Sequence, residues 1–127
     1  MKEVMAIIRS NKVNKTKESL AEAGFPSFTC RKVLGRGKKS IDMALIESLV
    51  LEGEVPATPV GENLSEIGRL IPKRLFTLVV KDEDVEKVVD TIIKVNSQGN
   101  PGDGKIFIIP INEAYRIRNE ETGDEAI

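Results

Sequence analysis

The sequence predicts an α+β chain, a ferredoxin-like β-α-β-β-α-β sandwich with four strands backed by two helices, a long central loop and a short C-terminal strand. Three observations carry this expectation: β-rich runs bracket each half of the chain, an amphipathic helical pattern sits between the runs of each half, and an outsized connection separates the halves.

The first half opens with Lys2 to Arg9, where Val4, Met5, Ala6, Ile7 and Ile8 are nearly continuous, short enough for a strand buried on both faces. Asn14 stands where a helix cap is expected. Thr16, Leu20 and Ala23 then fall at helical spacing, and Gly24 suits the left-handed residue that closes a helix. Ser27 to Leu34 returns as a strand through Phe28, Thr29, Cys30 and Val33.

The second half repeats the plan. Leu75, Phe76, Leu78, Val79 and Val80 form a β-rich run, with Asp82 as the expected cap of the helix that follows. Val85, Val88, Val89, Ile92 and Ile93 recur at helical period and draw one apolar stripe. Gly99 to Gly104 is a loop, Lys105 to Ile111 the fourth strand, Ala114 to Arg118 a short last strand, and Asn119 to Ile127 an acidic tail. Between the halves, Arg36 to Ile71 far exceeds an ordinary connection, since loops beyond about 12–15 residues are usually functional or disordered. Within it, Ile41 to Leu51 carries a helical pattern that Gly53 ends. The chain therefore reads as a single domain, 1–127, holding an insertion at 36–71.

Composition narrows the chemistry. Hydrophobic residues make up 40% and charged residues 31%, an ordinary globular balance. A net charge of −1 lacks the basic footprint of a nucleic-acid binder. There is no histidine to serve as metal ligand or neutral-pH base, and one cysteine, Cys30, cannot form an internal disulfide. No apolar run reaches the roughly 20 residues needed to span a bilayer, and a signal-peptide layout is missing, so a cytoplasmic protein is expected.

Three basic segments are candidates for binding, two of them bearing glycines. Gly102-Asp103-Gly104-Lys105 sets glycines and a lysine at the start of a strand, a layout that can turn N–H groups toward an anion. It does not match the GxxxxGK[ST] phosphate loop, and a plain glycine turn is the commoner use of such a segment. Arg116 and Arg118 would share one face of an extended segment and suit polyphosphate oxygens, or would pair with the acidic tail. Gly35-Arg36-Gly37-Lys38-Lys39 leaves the second strand as a hinge, a phosphate contact or a basic loop start. No residue stands out as nucleophile or base, so an enzyme is not expected.

These residues carry a resemblance to the PII signalling family. Gly102-Asp103-Gly104-Lys105-Ile106-Phe107, Arg116-Ile117-Arg118 and the Glu-Ala-Ile ending are similar to its C-terminal signature, while Lys2 to Lys12, Leu20 to Gly24, Thr29, Gly35 and Gly37 follow its N-terminal pattern. The resemblance implies a homotrimer, or a hetero-oligomer with a PII paralogue, holding ATP or ADP in clefts between subunits. By position it places Ile7 and Val79 near the adenine, Thr29 on the base from the neighbouring subunit, and Gly35, Gly37 and Lys38 along the cleft. Gly102, Asp103, Gly104, Lys105, Arg116 and Arg118 would hold the phosphates.

The insertion at 36–71 corresponds to the family's T-loop, which senses 2-oxoglutarate with MgATP and docks on targets. Lys39, Ser40 and Lys73 are the implied 2-oxoglutarate contacts. Lys39 replaces the glutamine that normally helps hold Mg²⁺, and a protonated ammonium repels that ion and cannot ligate it. The loop is longer than in most of the family and has no tyrosine to uridylylate, the sole one being Tyr115. Loop and flanks look most like the second paralogue of the nitrogenase-regulating branch of methanogens, which implies dinitrogenase as target. A general PII protein acting on an ammonium transporter is the alternative. A ferredoxin-like nucleotide enzyme would need a base other than histidine, and an RNA-binding module would need aromatic platforms that four Phe, one Tyr and no Trp do not supply.

Overall fold

The computed structural model describes residues 1–37 and 70–127. They form β1 (Lys2–Ile8), α1 (Val13–Glu22), β2 (Thr29–Gly35), β3 (Ile71–Val80), α2 (Val85–Asn96) and β4 (Lys105–Pro110). The sheet order is β2-β3-β1-β4, the ferredoxin-like order expected from two β-α-β halves. Two compact units are distinguished: Met1–Val33 with Lys73–Ile127, and Leu34–Pro72. The second supplies the last two residues of β2 and the first two of β3. The helical pattern at 41–51 lies outside the described residues, as do Lys38, Lys39 and Ser40.

Two central strands build the core. β1 runs antiparallel to β3, pairing Val4 with Leu78 and Ala6 with Phe76, so their alternate side chains share one face. Val4, Ala6, Ile8, Phe76, Leu78 and Val80 are buried on that face together with Leu20 of α1 and Val88 and Ile92 of α2. Phe28, just before β2, stacks on Phe76 with ring centroids 4.5 Å apart. Each fully buried side chain of this size contributes about 1.5–3 kcal/mol, so the period-two and helical patterns together define the packing. Beneath the core, Asn96 Nδ2 of α2 donates to Thr16 Oγ1 of α1 over 3.0 Å and joins the two helices.

The structure amends several local expectations. β1 is buried on one face only; Glu3, Met5 and Ile7 on the other are half-buried, and α1 and α2 both lie on the opposite side. Asn14 does not cap α1, which starts at Val13 from a 3₁₀ turn at Ser10–Lys12, and the Lys12 carbonyl accepts from Thr16 Oγ1 at 2.8 Å. Asp82 does not cap α2 either: it lies in a 3₁₀ turn and takes the Met1 ammonium at 2.8 Å, which lowers its pKa. Ile93 is half exposed, at the margin of its helix's apolar stripe. β3 begins at Ile71, earlier than the β-rich run, three residues before its pairing with β1 starts at Arg74 opposite Ile8. Of the short last strand, one bridge forms, Tyr115 with Thr122, and 117–119 turn back toward the tail.

Candidate functional site

One loop gathers charge from three parts of the chain. β4 pairs antiparallel with β1, setting Lys105 opposite Ile7, so the Gly99–Gly104 loop that feeds β4 arrives beside the end of β1. Arg9, the first residue beyond β1, reaches into it. Its Nη1 donates to Asp103 Oδ1 at 2.6 Å and to Gln98 Oε1 at 3.2 Å, and its Nη2 donates to the Pro101 carbonyl at 3.2 Å. Lys73 Nζ, on β3 across the same end of β1, donates to the Gly102 carbonyl at 2.7 Å.

Asp103 organises the loop from within. Its second oxygen accepts from the backbone N–H of Gln98 at 2.7 Å and of Asn100 at 3.3 Å. The Gln98 bond first, the Arg9 guanidinium next and the Asn100 bond after it hold its carboxyl at a pKa of about 2. Lys73 is pushed the other way: partial burial and then the Arg9 charge lower its pKa, against the opposing pull of Asp103. One engaged carboxylate thus lies beside two cations, Arg9 and Lys73, and the loop leads directly into Lys105 at the start of β4. Such an arrangement suits the oxygens of a phosphate or carboxylate, which lysine meets as a point charge and arginine as a fork.

Backbone geometry makes two of these positions glycine. Gly102 and Gly104 have φ of 97° and 117°, values that side chains rarely adopt. A Cβ on Gly104 would also overlap the Ile7 carbonyl oxygen, so the loop meets the end of β1 by backbone contact. A Cβ on Gly102 would meet the tip of Arg9 at 3.2 Å, a flexible neighbour.

The other candidate residues are spread over the fold. Ile7 and Val79 share the face of the sheet away from the helices, but Val79 pairs with Glu3, which places it about 13 Å along the strands from Ile7. Thr29 begins β2, and β2 and β4 are opposite edges of the sheet. Gly35 and Gly37 belong to the Leu34–Pro72 unit. Arg116 is tied to the tail, where its side chain pairs with Glu121 and donates to the Glu125 carbonyl at 2.8 Å. Arg118 lies in the turn beyond it, so the two arginines do not stand at period two on a strand. Sequence reasoning assigned Arg9 no role. A basic residue immediately after a buried strand was its only signal, and its partner lies 94 residues away.

Residues 1–121 match the family model described as "Nitrogen regulatory protein P-II". The chain belongs to the PII family. Its relatives include the "Nitrogen fixation nifHD region GlnB-like protein 2" of Methanobacterium ivanovii, 46% identical over all of this chain and 99% of that protein. Methanothermococcus thermolithotrophicus has two similar proteins: a "GlnB-like protein 2" of the nifHD region, 45% identical over all of this chain and 98% of its own length, and a "GlnB-like protein 1", 40% identical over 97% of this chain and 99% of its own. PII proteins are regulators that bind small-molecule effectors, and the family assignment makes this chain a nitrogen regulatory protein of that kind. Among the described residues, no helix is long and apolar enough to cross a membrane.

Proposed function

We propose that this PII protein is a cytoplasmic regulator that binds ATP or ADP and 2-oxoglutarate and controls dinitrogenase through the segment 36–71, without enzymatic turnover of its own. The observation that carries the reading is the convergence of Arg9 and Lys73 on the Gly102–Gly104 loop that leads into Lys105, where a cationic, glycine-lined end of the sheet meets the family's signature. Lys105 and the loop take nucleotide phosphate, and Lys73 takes an effector carboxylate. Among the described residues no cluster of carboxylates stands ready for a metal, so a Mg²⁺ arriving with ATP takes its oxygens chiefly from phosphate and water.

Strand order supports a site shared between subunits. Thr29 on β2 and Lys105 on β4 are separated by two intervening strands, about 14 Å across the sheet. A second copy, or a PII paralogue, brings its own β2 edge to the β4 edge of the first. The sheet face opposite α1 and α2 carries Met5, Ile7, Val79 and Phe107, an apolar surface that assembly into a trimer buries. The pair of nifHD-region relatives in one organism supports the paralogue reading and dinitrogenase as the target.

Calorimetry tests the site. Lys105→Ala removes one charge-assisted hydrogen bond, about 1.5–3 kcal/mol, and is expected to weaken ATP binding about 10- to 150-fold. Unchanged affinity in the folded variant removes Lys105 from the site. Replacing residues 40–69 by a short Gly/Ser linker is expected to leave ATP binding intact and abolish inhibition of dinitrogenase, and inhibition that persists refutes docking through this segment.

A further inference from the structure

Asp103 is an unexpected residue in a loop that receives phosphate. It is the only acidic residue between Gln98 and Lys105, and a free carboxylate there would repel the ligand. Its bonding removes the conflict. Both oxygens are occupied from within the chain: Oδ1 takes the Arg9 guanidinium, and Oδ2 accepts from the Gln98 and Asn100 backbone N–H groups. The Asp103 N–H also donates to the Asn100 carbonyl at 3.2 Å, so main chain and side chain close the turn together.

Arg9 is committed in the same way. Nη1 spends its protons on Asp103 and Gln98, and Nη2 spends one on the Pro101 carbonyl, so the loop holds three of the five N–H donors of the guanidinium. The two side chains are only 24% and 22% exposed, which shields the pair from the solvent that weakens surface ion pairs. Lys105 differs, standing exposed at the end of the loop. The loop has reason to need a tie. Gly99, Gly102 and Gly104 all have positive φ, and a segment so rich in glycine loses much conformational freedom when it is fixed.

We infer that Arg9 is a positioning residue of this site: through Asp103 it fixes the 98–104 loop in the form that receives phosphate and cancels the loop's one negative charge, without meeting the phosphate itself. The inference rests on the reading of this loop as the nucleotide phosphate site. It adds a division of roles, in which Lys105 binds while the Arg9–Asp103 pair meets the ordering cost before the ligand arrives.

Asp103→Asn separates the possible roles by sign. Neutralising a carboxylate that faces phosphate would tighten ATP binding, whereas an amide cannot offer acceptors to Arg9 and to two backbone N–H groups at once, so a brace is broken and binding weakens. Calorimetry on the full chain in its native assembly is expected to show ATP binding about 10-fold weaker in Asp103→Asn and in Arg9→Ala, with the double variant within about 2-fold of the weaker single one, because the two residues act as a unit. Hydrogen exchange reads the brace without ligand. The Gln98 and Asn100 amides are expected to exchange about 10-fold faster in Arg9→Ala while the amides of β1 and β3 keep their protection, and saturating ATP is expected to restore the loop, a response that a contact serving stability alone would not give. Three results overturn the inference: Asp103→Asn that binds ATP as tightly as the parent or more so, a double variant about 10-fold below either single one, which would put Arg9 on the phosphate itself, or unchanged exchange at Gln98 and Asn100. A parent protein that binds no ATP refutes the nucleotide reading instead, and the exchange measurement still decides whether Arg9 holds the loop.

Discussion

Gly104→Ala is expected to destabilise the protein far more than an ordinary glycine substitution. The backbone at this position has a φ of 117°, where an L side chain costs about 1–3 kcal/mol. Its new Cβ would overlap the Ile7 carbonyl oxygen, and no rotamer can relieve a clash made by Cβ itself. Relief requires the start of β4 to move away from β1 at the Lys105–Ile7 pair, losing one or two hydrogen bonds at about 1 kcal/mol each. The sum is about 2–5 kcal/mol. Gly99→Ala is the internal control, because Gly99 also has a positive φ, 74°, but faces open space, so only the conformational cost of about 1–2 kcal/mol applies. Urea unfolding of both variants, followed by far-UV circular dichroism at equal protomer concentration, measures the difference. If the two variants lie within about 1 kcal/mol of each other, the backbone contact between loop and strand does not constrain the site as described.

Four further outcomes are expected. The Asp103 carboxyl, at about 2 against an ordinary 3.8, contributes stability that is complete above pH 3.8 and is lost as the pH falls toward 2; a carboxyl NMR titration should find that midpoint, and Arg9→Ala should raise it. The pKa of Lys73 is lowered in part by Arg9, so the charged ammonium is disfavoured in the folded state below its ordinary 10.5, and Arg9→Ala should raise the value measured by nitrogen-detected titration. Thr16→Val leaves the Asn96 amide donor without its fully buried partner and should cost about 1–3 kcal/mol by urea unfolding. Protein taken from nitrogen-starved cells should show no nucleotidyl adduct on residues 36–71 by intact mass, since that segment has no tyrosine.

What the sequence determined by itself is whatever depends on residues close together in the chain. The nearly continuous apolar run from Val4 to Ile8, the helical recurrence of Val85, Val88 and Ile92, and the glycine pair at 102 and 104 mark strand, helix and turn because each pattern depends only on neighbours a few residues apart. The likeness to PII proteins was legible for the same reason, being carried by contiguous motifs. Helix starts were less legible: Asn14 and Asp82 are good capping residues, yet 3₁₀ turns open both helices, and Asp82 is claimed by the chain's own N-terminus. Tertiary structure alone decided the rest. Arg9 meets Asp103, and Lys73 meets the Gly102 carbonyl, only because β1 lies between β3 and β4, and no spacing in the sequence encodes a contact across 94 or 29 residues. Arg116 is a local case instead: the sequence left open a strand face shared with Arg118 or pairing with the acidic tail, and the chain turns at 117 and pairs Arg116 with Glu121, five residues on. Local pattern fixes which face a side chain takes on its own element; which charge it then meets is set by strand order, a property of the folded sheet.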